Sequence, residues 1–157
     1  MGDLKVFSTQ GRLNRMPYNI YSLALIVVSF IMSMLCESLK ERFVIMNESD
    51  FIGKVSESDL DIMIACTLLI IVIAILMIIG ELTLTIRRMH DLNLSGWYYL
   101  LFFVPNILTA NAYDNKSLLI ILIFLVLNLI PLILGLCLVF KRGTAGENKY
   151  GADPLSE

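Results

Sequence analysis

Long uncharged apolar blocks alternate with short polar segments along the chain. Residues 18–35 and 118–140 contain no charged side chain, and residues 62–84 contain only Glu81. An α-helix rises about 1.5 Å per residue and the hydrocarbon core of a bilayer is about 30 Å thick, so about 20 apolar residues cross it. The three blocks are therefore predicted to be membrane-spanning helices.

A fourth apolar block, 97–112, is shorter and contains Pro105 and Asn106. Its helix would be roughly 24 Å long, less than the hydrocarbon thickness, but local thinning of the bilayer tolerates such a mismatch. We predict a fourth span here. The alternative is a re-entrant segment, which is viable only where other helices shield its backbone.

The distribution of Lys and Arg predicts the orientation. Eight of the 12 basic residues lie in 1–17, 85–96 and 141–157, and the other four lie in 36–61 and at position 116. Basic residues concentrate on the cytoplasmic side of a membrane protein. The fold class is therefore predicted to be all-α: a polytopic transmembrane helical bundle of one domain, with four spans, both termini cytoplasmic, an outer loop at 36–61 and a cytoplasmic tail at 141–157.

Composition narrows the function classes. The hydrophobic fraction is 57% and the mean hydropathy is +0.78, against about 45–50% apolar residues in soluble proteins. A net charge of −2 argues against a nucleic-acid partner. The single histidine, His90, and three widely separated cysteines do not provide the ligand set of a metal site. We therefore expect no catalytic residue, no metal and no cofactor, and we expect the protein not to be an enzyme.

Three polar segments share the predicted inner face. They read GRLNRMPY at 11–18, RRMHDLNLSGW at 87–97 and GTAGENKYGADP at 143–154. In this order, separated by apolar spans, they resemble the motifs of a family of small bacterial inner-membrane proteins, domain of unknown function 805, the YhaH type. Asn93-Leu94 stands where that family more often has Gly-Arg. The family carries no established activity, so the resemblance implies the bacterial inner (plasma) membrane and this architecture, and little more.

The inner-face segments bring together one candidate cluster with two interpretations. The first is structural: Asp91 pairs with Arg12 or Arg15, since charges at a membrane boundary need partners. The second is a site for an anionic group such as a lipid phosphate, held by arginines and backbone N–H groups. The candidates are Arg12, Arg15, Arg87, Arg88, His90, Asp91, Asn148, Lys149, Tyr150 and Asp153.

Two polar residues lie inside predicted spans, Glu81 and Asn128. Intramembrane polar groups either join helices or line a transport path. The function hypothesis is a non-enzymatic membrane protein that binds or scaffolds partners through the inner-face cluster. Its expected partners are membrane lipids and a second copy or another membrane protein. The alternative is a small oligomeric transporter or channel, in which Glu81 and Asn128 would line one cavity.

Overall fold

The computed structural model describes residues 8–47, 57–109 and 118–155. This part of the chain is all-α and contains no strand, only one isolated bridge between Asn148 and Gly151. Four α-helices and one 3₁₀ helix follow each other along these described residues. They are α1 (Arg15–Asn47), α2 (Glu57–Asp91), the 3₁₀ helix (Gly96–Phe102), α3 (Val104–Thr109) and α4 (Leu118–Phe140).

Among the described residues, three helices are long and apolar enough to cross a membrane, within Arg15–Glu41, Leu60–Asp91 and Ile121–Phe140. Large apolar side chains on all three are exposed, for example Phe30, Ile78 and Leu132. Exposed apolar surface of this extent is unfavourable in water and favourable in lipid. The prediction of an all-α chain with several helices long and apolar enough to span a membrane is confirmed for the described residues, and α4 has the predicted bounds 118–140.

Helices α1 and α2 are longer than the predicted spans. α1 continues past residue 35 to Asn47, and α2 begins at Glu57 and continues past residue 84 to Asp91. Much of the predicted outer loop 36–61 is therefore helical, while 48–56 lie outside the described residues. Charged residues with good helix propensity follow the apolar block of α1 without a glycine or proline, and Glu37 pairs with Lys40 at 3.5 Å.

Segment 97–112 differs from the predicted continuous helix over its described part, which ends at residue 109. The 3₁₀ helix, capped by Ser95, gives way to the six-residue α3. Pro105 explains the break, because it has no N–H to donate to the Leu101 carbonyl and its ring would clash with that group. Neither short helix has the length of a span.

The end of α2 is fixed by a Schellman motif. Leu94 N–H donates to the Met89 carbonyl at 2.9 Å, and Asn93 N–H donates to the His90 carbonyl at 3.0 Å. Asn93 has a φ of 59°, the left-handed conformation that this motif requires. Asparagine tolerates that conformation better than other non-glycine residues, which makes Asn93 a functional replacement for the more usual glycine.

The described chain forms two compact units. One contains residues 22–47 and 57–81, which belong to α1 and α2. The other contains residues 8–21 and 82–155 of the described chain, including all three polar segments. In this second unit Met89 and Leu138 are fully buried, together with the side chain of Arg88. A charged group in the core needs partners there, and these partners build the site.

Candidate functional site

The carboxylate of Asp91, in the last turn of α2, is buried between two arginines. Its side chain is 3% exposed, and those of Arg12 and Arg88 are 1% and 0% exposed. Arg12 donates to Oδ1 from Nε at 3.1 Å and from Nη2 at 3.0 Å, while Arg88 donates to Oδ2 from Nη1. Charge-assisted bonds of this kind are about twice as strong as neutral ones. We name this group the Arg12–Asp91–Arg88 cluster.

Arg12 uses every donor it has. Besides the two bonds to Asp91, Nη1 donates to the carbonyls of Gly146 at 2.6 Å and Gly151 at 3.4 Å, and Nη2 donates to the Thr144 carbonyl. A guanidinium carries five N–H groups, so these five bonds leave none for another acceptor. Arg12 therefore ties the segment before α1 to the end of α2 and to the tail after α4.

Helices α2 and α4 cap each other's C-terminal ends. Arg88 of α2 donates from Nε to the Leu138 carbonyl at 2.8 Å and from Nη2 to the Lys141 carbonyl. In return, Thr144 beyond α4 donates to the Asp91 carbonyl from its N–H at 2.9 Å and from Oγ1 at 3.1 Å. The last carbonyls of a helix have no intrahelical partner, and cations there also favour the helix dipole.

A second layer of contacts holds the tail motif against His90. The His90 and Tyr150 rings stack, with centroids 3.8 Å apart and planes 7° apart, and Nδ1 of His90 lies 3.3 Å from the Gly11 carbonyl. Asn148 donates from Nδ2 to the His90 carbonyl at 3.0 Å and accepts from Tyr150 N–H at 2.9 Å. Lys149 Nζ lies 5.0 Å from the centroid of the Tyr150 ring. Each tail residue in this layer thus has a structural contact.

Asp153 closes the tail turn. Its Oδ1 accepts the N–H of Leu155 at 2.9 Å and its Oδ2 accepts the N–H of Gly146 at 3.0 Å. These two bonds stabilise the ionised form and lower the pKa of Asp153 below its ordinary value. Gly146 has a φ of 74°, which only glycine adopts without strain. This turn orients the Gly146 carbonyl toward Arg12, which donates a hydrogen bond to it.

A pocket of about 450 Å³ lies beside the Arg12–Asp91–Arg88 cluster. Two further arginines line it: Arg15 at the first turn of α1 and Arg142 just after α4. Within the described parts of the chain neither guanidinium has a hydrogen bond or an ion pair. We call this space, with Arg15, Arg142, Thr144 and Asp153 in its wall, the basic pocket.

The other predicted site residues lie apart from this pocket. Arg87 is half-buried in α2, and its carbonyl accepts the Leu13 N–H at 3.1 Å. Glu81 is exposed on α2. Asn128 donates to the Phe124 carbonyl of its own helix at 2.8 Å. Over 8–47, 57–109 and 118–155, no group of three or more His, Cys, Asp and Glu side chains could hold a metal ion.

Sequence reasoning missed Arg142 and Thr144 as site residues and paired Asp91 incompletely. Asp91 contacts Arg12, as one alternative predicted, but its second partner is Arg88 and not Arg15. Arg88 and Asp91 are three residues apart, a spacing that brings two side chains together on a helix. The predicted span ended at residue 84, so the sequence analysis did not place these two residues on one helix. Arg142 stands in a segment without regular structure, where the sequence gives no periodicity to orient a side chain.

A family model described as "Protein of unknown function (DUF805)" matches residues 6–152, nearly the whole chain. Searches of curated proteins and of solved structures found no match. The resemblance inferred from the three polar segments is thereby confirmed.

Proposed function

Because the chain belongs to the DUF805 family of proteins of unknown function, we propose a function from its own geometry. The protein is a non-enzymatic, multi-pass protein of the bacterial inner membrane that binds the anionic headgroups of membrane lipids in the basic pocket. The Arg12–Asp91–Arg88 cluster is structural, and it holds the three polar segments in the arrangement that forms this pocket.

The topology of the proposal follows from where the helix ends meet. Arg12 lies just before α1, Asp91 ends α2, and Thr144 follows α4, and hydrogen bonds join all three. If α1, α2 and α4 each cross the bilayer, the chain between α2 and α4 must cross it once more. Four crossings therefore explain these contacts, with the broken segment after Ser95 as the third. The positive-inside rule places the shared face in the cytoplasm.

One observation carries the binding function: two arginines, Arg15 and Arg142, line the pocket, and neither has a carboxylate partner in the described chain. Asp91, which also lines the pocket, is paired with both Arg12 and Arg88, and Asp153 is the other carboxylate in the wall. With Arg15 and Arg142 the arginines outnumber the carboxylates, so the net charge at the pocket is positive. Anionic phospholipids are the abundant phosphate-bearing molecules at this boundary, and basic residues near a bilayer surface attract them.

The saturation of Arg12 favours a structural role for this residue over a lipid contact. A residue with all five N–H groups bonded to protein acceptors has no donor for a phosphate oxygen. Within the described chain, Arg15 and Arg142 retain their side-chain donors. Removing Arg12 would reduce lipid binding only by unfolding the site, whereas removing Arg15 or Arg142 should reduce it directly.

Native mass spectrometry in detergent tests this proposal, with phosphatidylglycerol added as the probe. Arg15→Gln and Arg142→Gln should each reduce the retained lipid, and the double variant should reduce it to the level of phosphatidylcholine. Lys141→Gln is the matched control, since it removes the same charge one residue away without lining the pocket. Equal retention by the double variant and the control would refute the proposal.

The transporter alternative gains no specific support. Asn128, its main candidate, bonds to a carbonyl of its own helix and does not line the basic pocket. An intrahelical bond of this kind satisfies the amide locally.

A further inference from the structure

A second pocket of about 400 Å³ lies beside His90 and Tyr150. The end of α2, the 3₁₀ helix and the tail each contribute to its wall. Its apolar part is formed by Leu82, Ile86 and Leu100, and its aromatic part by Trp97, Tyr99 and Tyr150. We call it the aromatic groove. Its volume lies in the range of about 300–1,000 Å³ that small-molecule sites occupy.

His90 contributes a ring nitrogen that can accept a hydrogen bond. Nδ1 lies 3.3 Å from the Gly11 carbonyl, and a carbonyl oxygen only accepts, so Nδ1 must carry the hydrogen. In the neutral ring Nε2 is then a lone-pair acceptor, and within the described residues it has no hydrogen bond. Gly96 leaves the space beside it open, because a Cβ there would lie 3.6 Å from Nε2.

This arrangement specifies a ligand with three properties. It has an O–H or N–H donor for Nε2, a flat ring for the aromatic walls, and an apolar body for Leu82, Ile86 and Leu100. Aromatic pairs gain attraction beyond the burial of their area, which a saturated glycerol headgroup would not obtain. Trp97 and Leu100 in the wall are exposed in a chain with membrane-spanning helices, which favours a ligand that dissolves in lipid.

We propose that the aromatic groove binds a lipid-soluble hydroquinone, with one ring hydroxyl donating to Nε2 of His90. This site is separate from the basic pocket, and no electron transfer is part of the proposal. The acceptor character of Nε2 makes binding depend on the oxidation state of the ligand. A hydroquinone can donate an O–H to Nε2, whereas the corresponding quinone has only acceptors and cannot form this bond, so we expect the reduced form to bind more tightly.

The chain's single tryptophan reports directly on this groove, since Trp97 lines it. Detergent-solubilised protein is titrated with a decyl-chain benzoquinol at about pH 8, where imidazole is neutral. Tryptophan fluorescence should be quenched saturably. The oxidised form should bind roughly 3- to 10-fold more weakly, the usual effect of losing one hydrogen bond. Equal affinities for the two forms would overturn the proposal.

Two variants separate groove binding from non-specific quenching. His90→Asn retains an N–H near the position of Nδ1 and removes Nε2, and it should weaken the quinol to the affinity of the quinone. Gly96→Ala keeps the ring but places a methyl group 3.0 Å from Cγ2 of Ile86 and beside Nε2, and it should abolish saturation. If His90→Asn lowers the melting temperature, its weaker binding could come from unfolding, and the result for Gly96→Ala then tests the proposal.

If the aromatic groove binds something other than a hydroquinone, the same titration gives a different result. Quenching that rises linearly and equally in the wild type and in Gly96→Ala would show only partitioning into the micelle, and it would overturn the proposal. Displacement of the quinol by phosphatidylcholine at equal concentration would identify the groove as an acyl-chain site and would also overturn it. Saturable, redox-dependent quenching that phosphatidylglycerol leaves unchanged supports it.

Discussion

Gly143 lies against the carboxylate of Asp91. A Cβ built on Gly143 would stand 2.5 Å from Cγ and 2.6 Å from Oδ1 of Asp91, closer than any non-bonded contact allows. The backbone after α4 can therefore approach the carboxylate only at a residue without a side chain. This close approach brings Thr144 within reach of the Asp91 carbonyl. Glycine is needed at position 143 because a side chain would not fit there, and not because of its backbone conformation.

Gly143→Ala should consequently destabilise the protein by about 2 kcal/mol, the usual scale of overpacking in a buried site. The added methyl group would push the tail away from Asp91 and stretch both bonds from Thr144. Thermal unfolding in detergent measures the effect. Gly80→Ala is the control, because a Cβ at Gly80 meets nothing within 4 Å and alanine favours a helix. A melting temperature for Gly143→Ala equal to that of Gly80→Ala would contradict the geometry.

Asn93 should tolerate glycine and resist β-branched residues. Its φ of 59° ends α2 in the left-handed region. Asn93→Gly is expected to leave stability unchanged or slightly increased, whereas Asn93→Val should cost about 1–2 kcal/mol, the penalty of that conformation for an ordinary L-residue. Denaturation of the two variants side by side in one detergent gives the comparison. The prediction fails if valine is accepted as readily as glycine.

Asp153 should make the tail sensitive to acid. Its folded-state pKa is lowered, chiefly by the hydrogen bond from the Leu155 N–H and then by that from Gly146. Its stabilising contribution is therefore present above the ordinary carboxyl pKa of 3.8 and is lost as the pH falls through the lower folded-state value.

The melting temperature of Asp153→Asn should thus lie below that of the wild type at neutral pH, and the difference should close on acidification. Glu147→Gln provides the control, since Glu147 is an exposed carboxylate of the same tail. A gap between wild type and Asp153→Asn that stays constant across the titration would show that the carboxylate bonds contribute nothing.

The proposed topology predicts that both ends of the chain are cytoplasmic. A green fluorescent protein fused after Glu157 should fluoresce, and alkaline phosphatase at the same position should be inactive. The same pair of reporters inserted at residue 52, in the predicted outer loop, should give the opposite result. An active phosphatase at the C-terminus would contradict the prediction that the chain crosses the membrane four times.

The parts of the fold that follow from hydrophobicity alone were predictable. α4 has the predicted bounds because its apolar block contains no charge and stops at Lys141. α2 extends to Asp91 because Asn93 terminates it, and the charged residues before that point are compatible with a helix. Pro105 indicates a break in the block, but the sequence does not show that the residues before it form a 3₁₀ helix.

The polar motifs predicted that Arg12, Arg88 and Asp91 lie near one another, but they did not predict Arg142 or Thr144, nor the different roles of the arginines. Which arginine is saturated depends on where the tail carbonyls point, and that is decided by turns such as the one at Gly146. Arg15 and Arg142 are distinguished by the contacts that their guanidiniums do not make within the described chain, which no pattern of residues encodes.

The central claim is that Arg12 and Asp91 act as one unit that joins the segment before α1, the end of α2 and the tail. A double-mutant cycle of Arg12→Gln and Asp91→Asn, followed by equilibrium unfolding in detergent, tests it most directly. Each single variant should lose about 3 kcal/mol or more, because it leaves a buried charge without its partner. The double variant should lose much less than the sum, with a coupling of at least about 1.5 kcal/mol. Losses that add to within about 0.5 kcal/mol would contradict the account.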